Sequence, residues 1–70
     1  MSKYLVVIEK AGKNYSAFCP DLPGCIATGS TKKAAEKNIK AAISLHLEGL
    51  KEDGLPLPPH TATAEYVSVA

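Results

Sequence analysis

Tyr15-Ser16-Ala17-Phe18-Cys19-Pro20-Asp21-Leu22-Pro23-Gly24-Cys25-Ile26-Ala27-Thr28-Gly29-Ser30 decides the fold, because its punctuation turns one strand into the next and then into a helix. Tyr15 to Cys19 has the aromatic and small apolar residues of a half-buried strand, and Pro20 ends it by removing a ladder donor. Pro23 presets the φ of a second turn position and Gly24 supplies the positive φ of a third. Leu22-Pro23-Gly24-Cys25 therefore fits a type II turn, with Asp21 placed to cap the backbone beside it. Ile26 to Thr28 returns as a short strand. Gly29-Ser30-Thr31 stops it and offers a hydroxyl N-cap to a helix.

Upstream, Tyr4-Leu5-Val6-Val7-Ile8 is an unbroken, β-branched apolar run within a strand over Lys3 to Lys10, with neither face fully solvated. Ala11-Gly12-Lys13-Asn14 supplies the Gly and Asn of a hairpin loop, so this strand pairs antiparallel with the next. Downstream, from Thr31 to Asp53, the apolar period becomes helical: Ala35, Ile39, Ala42, Ile43, His46, Leu47 and Leu50 share one face, with Leu45 on its flank. His46 is expected to pack as a flat ring on the sheet. Gly54 suits the position after the helix, and Leu55-Pro56-Leu57-Pro58-Pro59 cannot continue it. Thr61 to Val69 has the Thr, Tyr and Val content of a fourth strand. The expected architecture is α+β, a single domain over 1–70 in the order βββαβ: a four-stranded sheet with one long helix packed on one face.

The totals bound the function. Seventy residues bury only about 60% of the unfolded surface, so the core is small and association is a natural remedy. An apolar fraction of 46% with 21% charged residues describes a globular protein rather than a disordered or membrane chain. The five-residue apolar run near the N-terminus is too short for a signal peptide, so cytoplasmic residence and no membrane partner are expected. In that compartment Cys19 and Cys25 read as reduced, partly packed thiols rather than a disulfide. Neither His46 nor His60 is spaced with them for zinc, and the carboxylates do not converge from strand centres, so no metal, cofactor or catalytic site is expected.

Two features point instead to binding. A single helix hides one side of a sheet, yet Tyr4 to Ile8 is apolar at both parities, so the second face or an edge should meet another chain. Tyr4, Val6 and Ile8 of the first strand, with Phe18, Asp21, Leu22 and Pro23 of the second strand and turn, are the candidate contact residues. Lys33, Lys37 and Lys40 form a weak basic stripe on the outward face of the helix, which opens a second reading as a small nucleic-acid-binding protein. A net charge of +1 argues against a dedicated one. A residual hydrolase built on Asp21, Glu9 or His46 is the third reading.

Tyr15 to Cys25 with its Pro-Asp-Leu-Pro-Gly-Cys turn, then Thr28-Gly29-Ser30-Thr31, then the helix ending Leu47-Glu48-Gly49-Leu50-Lys51-Glu52-Asp53-Gly54-Leu55-Pro56, resemble the HicB-type antitoxins over roughly Lys3 to Pro58. The resemblance implies a partial ribonuclease H-like fold without enzymatic activity. It implies a partner too, a small HicA-like mRNA-cleaving toxin whose active site or RNA surface the antitoxin covers, and a homodimer or higher homo-oligomer. Full-length members often add a C-terminal DNA-binding domain. None is present up to Ala70, so a short form without direct DNA binding is expected. Two departures are visible. Ala34 stands where members commonly carry an acidic residue that closes a capping box with Thr31, and the +1 charge is less acidic than many antitoxins. An orphan oligomer of the family is the alternative these departures leave open.

Overall fold

The computed structural model describes residues 3–70. β1 (Val7–Ala11), β2 (Asn14–Phe18) and β3 (Ile26–Gly29) form an antiparallel meander in that order, and α1 (Lys32–Glu52) covers one face. The first loop is two residues long, Gly12-Lys13, closed by the pair Ala11 and Asn14. Gly12 has φ 62, and no described non-glycine residue has positive φ. That is the type II′ pattern, whose twist matches the flanking strands.

The ladder starts at Val7, later than the expected Lys3. Val7 pairs with Phe18, and beyond Phe18 the second strand turns away: Cys19 donates its N–H to the Cys25 carbonyl at 3.2 Å. Nothing is left for Tyr4 to Val6 to pair with. They continue outside the ladder, with the Tyr4 and Val6 side chains against the core.

The fourth strand expected over Thr61 to Val69 does not form within this chain, so the sheet has three strands. Composition made that segment strand-like, but a strand also needs an edge. The Asp21 carboxylate accepts the Ala62 N–H at 3.2 Å and the Thr61 hydroxyl at 3.4 Å, tethering the chain beyond the end of the sheet.

The core is Ala17, Cys19, Leu22, Cys25, Ala35 and Ile39. Leu22 and Ile39 are its largest wholly buried side chains, each worth roughly 1.5–3 kcal/mol of burial. Small residues let the layers close: a Cβ added at Gly29 would meet the Ala35 backbone nitrogen and stand 2.7 Å from the Ala34 carbonyl carbon. Gly29 is needed for this approach as well as for stopping the strand.

Both helix ends are closed locally. Thr31 accepts the Ala34 N–H through its hydroxyl at 3.0 Å, and with alanine at 34 no side chain returns the bond. At the other end Gly54 has φ 68, donates to Lys51, and Leu55 donates to Leu50 at 2.9 Å, the Schellman arrangement. Asn38 also donates to the Thr28 carbonyl at 2.7 Å, tying helix to edge strand.

Gly29→Ala is expected to destabilise the fold by about 1–3 kcal/mol through overpacking. In a domain this small that lowers the thermal midpoint, followed by circular dichroism, by roughly 4–8 °C per kcal/mol. Gly49→Ala, where the added Cβ meets nothing within 4 Å, is expected to leave the midpoint unchanged or raise it.

Candidate protein-binding surfaces

The strand register sorts the candidate residues onto two faces. Ile8, Ala17 and Ala27 are mutual neighbours on the helix side. Val7, Phe18 and Ile26 are mutual neighbours on the other side, where no element among the described residues covers them. Phe18 is 37% and Ile26 65% exposed, and Val7 is half-buried. Glu9, Ser16 and Thr28 continue the same face toward the hairpin. The open face is therefore an apolar row at one end and polar at the other.

The sequence-selected residues distribute unevenly over this geometry. Phe18 lies in the open row, and Pro23 is exposed in the turn between β2 and β3. Tyr4, Val6 and Ile8 have the opposite parity and line the sheet–helix groove. Leu22 is a correction: it is wholly buried and packs in the core, so it has no surface to offer. Asp21 is half-buried and holds the C-terminal segment rather than its own turn. Val7 and Ile26 were missed. Their signal was alternation, since counting outward from the tight hairpin puts both opposite Phe18.

The turn itself forms as expected. Cys25 donates to the Leu22 carbonyl at 3.1 Å, and Gly24 has φ 82, the type II geometry. A preceding turn, closed by Leu22 donating to Cys19 at 3.1 Å, tucks Leu22 beneath the helix. Cys19 and Cys25 are both free and buried. Burial pushes the Cys25 thiol up, and a charge on neighbouring Cys19 would push it further.

The second surface is a groove of about 520 Å³ between the free edge of β1 and the helix, lined by Tyr4, Val6, Ile8, Ile39, Ile43 and Leu47, with Glu36, Lys40 and Ser44 also bordering it. Its origin is a length mismatch. A helix of 21 residues is about 31 Å long, whereas strands of five residues cover only about 17 Å. The distal half of α1 overhangs the sheet. That overhang also corrects the expectation for His46, which is exposed rather than packed on the sheet, and leaves Leu45 72% exposed.

Tyr4 closes one end of the groove. Its hydroxyl donates to the Pro58 carbonyl at 2.6 Å, and its ring meets His60 edge-on at 5.8 Å. Glu9, Asp21 and His46 are not assembled: Glu9 faces outward near the hairpin, Asp21 lies past the other end of β2, and His46 is on the helix behind the sheet. Among the described residues no three metal-ligating side chains cluster, and no helix is long and apolar enough to cross a membrane. Lys33, Lys37 and Lys40 share a shallow depression with Glu36, which breaks the basic stripe.

Comparison with known proteins names the family. The model described as "HicB_like antitoxin of bacterial toxin-antitoxin system" matches residues 4–69. The chain belongs to the HicB-like antitoxin family. A solved HicA3 and HicB3 toxin-antitoxin complex contains a chain similar to it, with TM-score 0.69 and 33% identity, over 84% of this chain and 70% of that one. A 14.9 kDa protein of the rep-hol intergenic region of Haemophilus phage HP1 is 40% identical over 65 residues, 93% of this chain. This chain spans about half of that relative, 49% of its length. A UPF0150 protein of Synechocystis is 37% identical over 67 residues, 94% of this chain and 85% of its own. For this HicB-like chain, the three-stranded sheet with one helix is thus shared with an antitoxin solved alongside a toxin.

The turn and its two thiols set two outcomes. Asp21→Ala should free the C-terminal segment, costing about 1 kcal/mol of stability and speeding proteolysis between Thr61 and Ala70 severalfold, as read by mass spectrometry. The raised Cys25 pKa stabilises the fold fully below the ordinary thiol value of 9.0, and this contribution is lost as pH rises through the folded-state value. Iodoacetamide should accordingly alkylate Cys25 more slowly in the native than in the urea-unfolded chain at mildly alkaline pH.

Proposed function

We infer that this chain is a non-enzymatic antitoxin module that neutralises a small HicA-like, mRNA-cleaving toxin by steric cover of its active site, acting in the cytoplasm. The observation that carries the reading is the open row Val7, Phe18 and Ile26, an apolar stripe facing away from α1. Pro23 is exposed in the turn between β2 and β3. Family membership and the likeness to a chain of a HicA3–HicB3 complex support a toxin as the occupant. Capture needs only apolar contact and shape. The chain's balance of charge, +1, assigns electrostatic steering a small part.

Self-association into a homodimer or higher homo-oligomer accompanies this role, since a core of six residues is small for a free-standing domain. A fourth strand, and with it the partial ribonuclease H-like sheet, belongs to that associated state.

The test is titration calorimetry with a HicA-like toxin, alongside rescue of growth when both are expressed. Phe18→Asp and Ile26→Lys should each weaken binding at least about 100-fold, as expected of central hot-spot residues, while circular dichroism stays unchanged. Doubling the salt should change the affinity little, against the steep loss expected of lysine-mediated nucleic-acid binding. Full toxin neutralisation by both variants would overturn the reading.

A further inference from the structure

Residues 63–70 form a projecting arm. The chain's radius of gyration is 13.6 Å, with a longest extent of 47 Å, against about 11 Å expected for a compact chain of this length. Within the arm Tyr66 is fully exposed and Val67 and Val69 nearly so. The arm is a strand-forming sequence with no ladder. Across the molecule β1 is an edge strand with a free side, and the apolar groove runs along that side.

The geometry points to an exchange of arms: the C-terminal arm of a second copy of this chain lies antiparallel on the free edge of β1 as a fourth strand and fills the groove. Strand alternation puts Glu65, Val67 and Val69 on one side of the arm. The stretch from Glu65 to Val69 matches the stretch of β1 and its lead-in from Ile8 back to Tyr4 that borders the groove.

Charge sets the direction. The start of α1 is level with Lys10, because Ala34 and Ala35 sit against Gly29, which pairs with Tyr15, which pairs with Lys10. Lys40 therefore borders the Ile8 end of the groove and Leu47 the Tyr4 end. An antiparallel arm brings Glu65 to Lys40 and leaves Val67 and Val69 for the apolar part. A parallel arm would instead push Glu65 among Tyr4 and Leu47.

Direction in turn requires a second copy. The arm departs at Ala62, held by Asp21 past the end of β2 and thus near the Tyr4 end of its own β1. The three residues to Glu65 reach about 10 Å, whereas Ile8, the partner Glu65 would need, is about 13 Å up that strand from Tyr4, and no residues remain for the reversal that would then run the arm back. A chain cannot lay its own arm this way. Another copy can, and the same contact repeated by two-fold symmetry covers both grooves.

This inference rests on the self-association proposed above and is independent of toxin capture, which uses the other face of the sheet. Light scattering of the full chain should give twice its mass. Val67→Asp with Val69→Asp should weaken the dimer at least tenfold with an unchanged circular dichroism spectrum. When chains carrying Val69→Cys are mixed with chains carrying Leu47→Cys and oxidised, a disulfide-linked pair should form between them, and more of it than when Lys40→Cys replaces Leu47→Cys. A monomer at all concentrations would overturn both the self-association and the arm exchange. A dimer that survives the arm substitutions, or one that Phe18→Asp dissolves instead, would overturn the arm exchange alone.

Discussion

The structure depends on one close approach, the packing of the first turns of α1 directly on the backbone of β3 at Gly29. Ala17 on β2 and Ala35 on the helix are both wholly buried beside it. Because Gly29 has no side chain to hold the helix off, the contact is nearly backbone to backbone, and the Asn38 amide bonds the Thr28 carbonyl just beyond. The helix is pinned at its start, and its direction over the sheet is set there. Thr31 reinforces the same point by meeting the Ala34 N–H.

Pinning a long helix at one end of a short sheet has a cost and a use. The distal half has no strand beneath it, so Leu47 and Leu50 are only half-buried and Leu45 and His46 face outward. The same overhang opens the groove along β1. On the opposite side, one helix cannot cover two faces, and Val7, Phe18 and Ile26 stay uncovered. A chain this small thus has more apolar surface than it can bury by itself, divided between two places that face different ways. Two separate surfaces leave room for the two contacts proposed above, one with a toxin and one with a second copy.

Much of this is legible in the sequence. Pro23 and Gly24 specify the type II turn, Gly12 the tight hairpin, Thr31 and Gly54 the ends of the helix. All four are local conformational requirements that a residue either meets or fails. The open face was legible as well, from an apolar run of both parities beside a single amphipathic helix. Whether Tyr4, Val6 and Ile8 belong to that face or to the edge was not legible, because parity alone does not say which side is which. Only the register with β2 does, and it hands the open face to Val7. Leu22 was misplaced because a turn residue reads as exposed, and two consecutive turns bury it.

The amino-acid sequence by itself determined the meander, the turn chemistry, the helix and its boundaries, and the family, since each rests on residues that act within a few positions of one another. Tertiary structure decided what the remaining segments do. Whether Thr61 to Val69 is a strand depends on a free edge and a reachable path, and the Asp21 carboxylate, 41 positions from Ala62, takes that path away. Whether His46 packs depends on how far the sheet extends beneath it. Those outcomes are set by lengths and contacts between distant parts of the chain, which no local pattern of residues encodes.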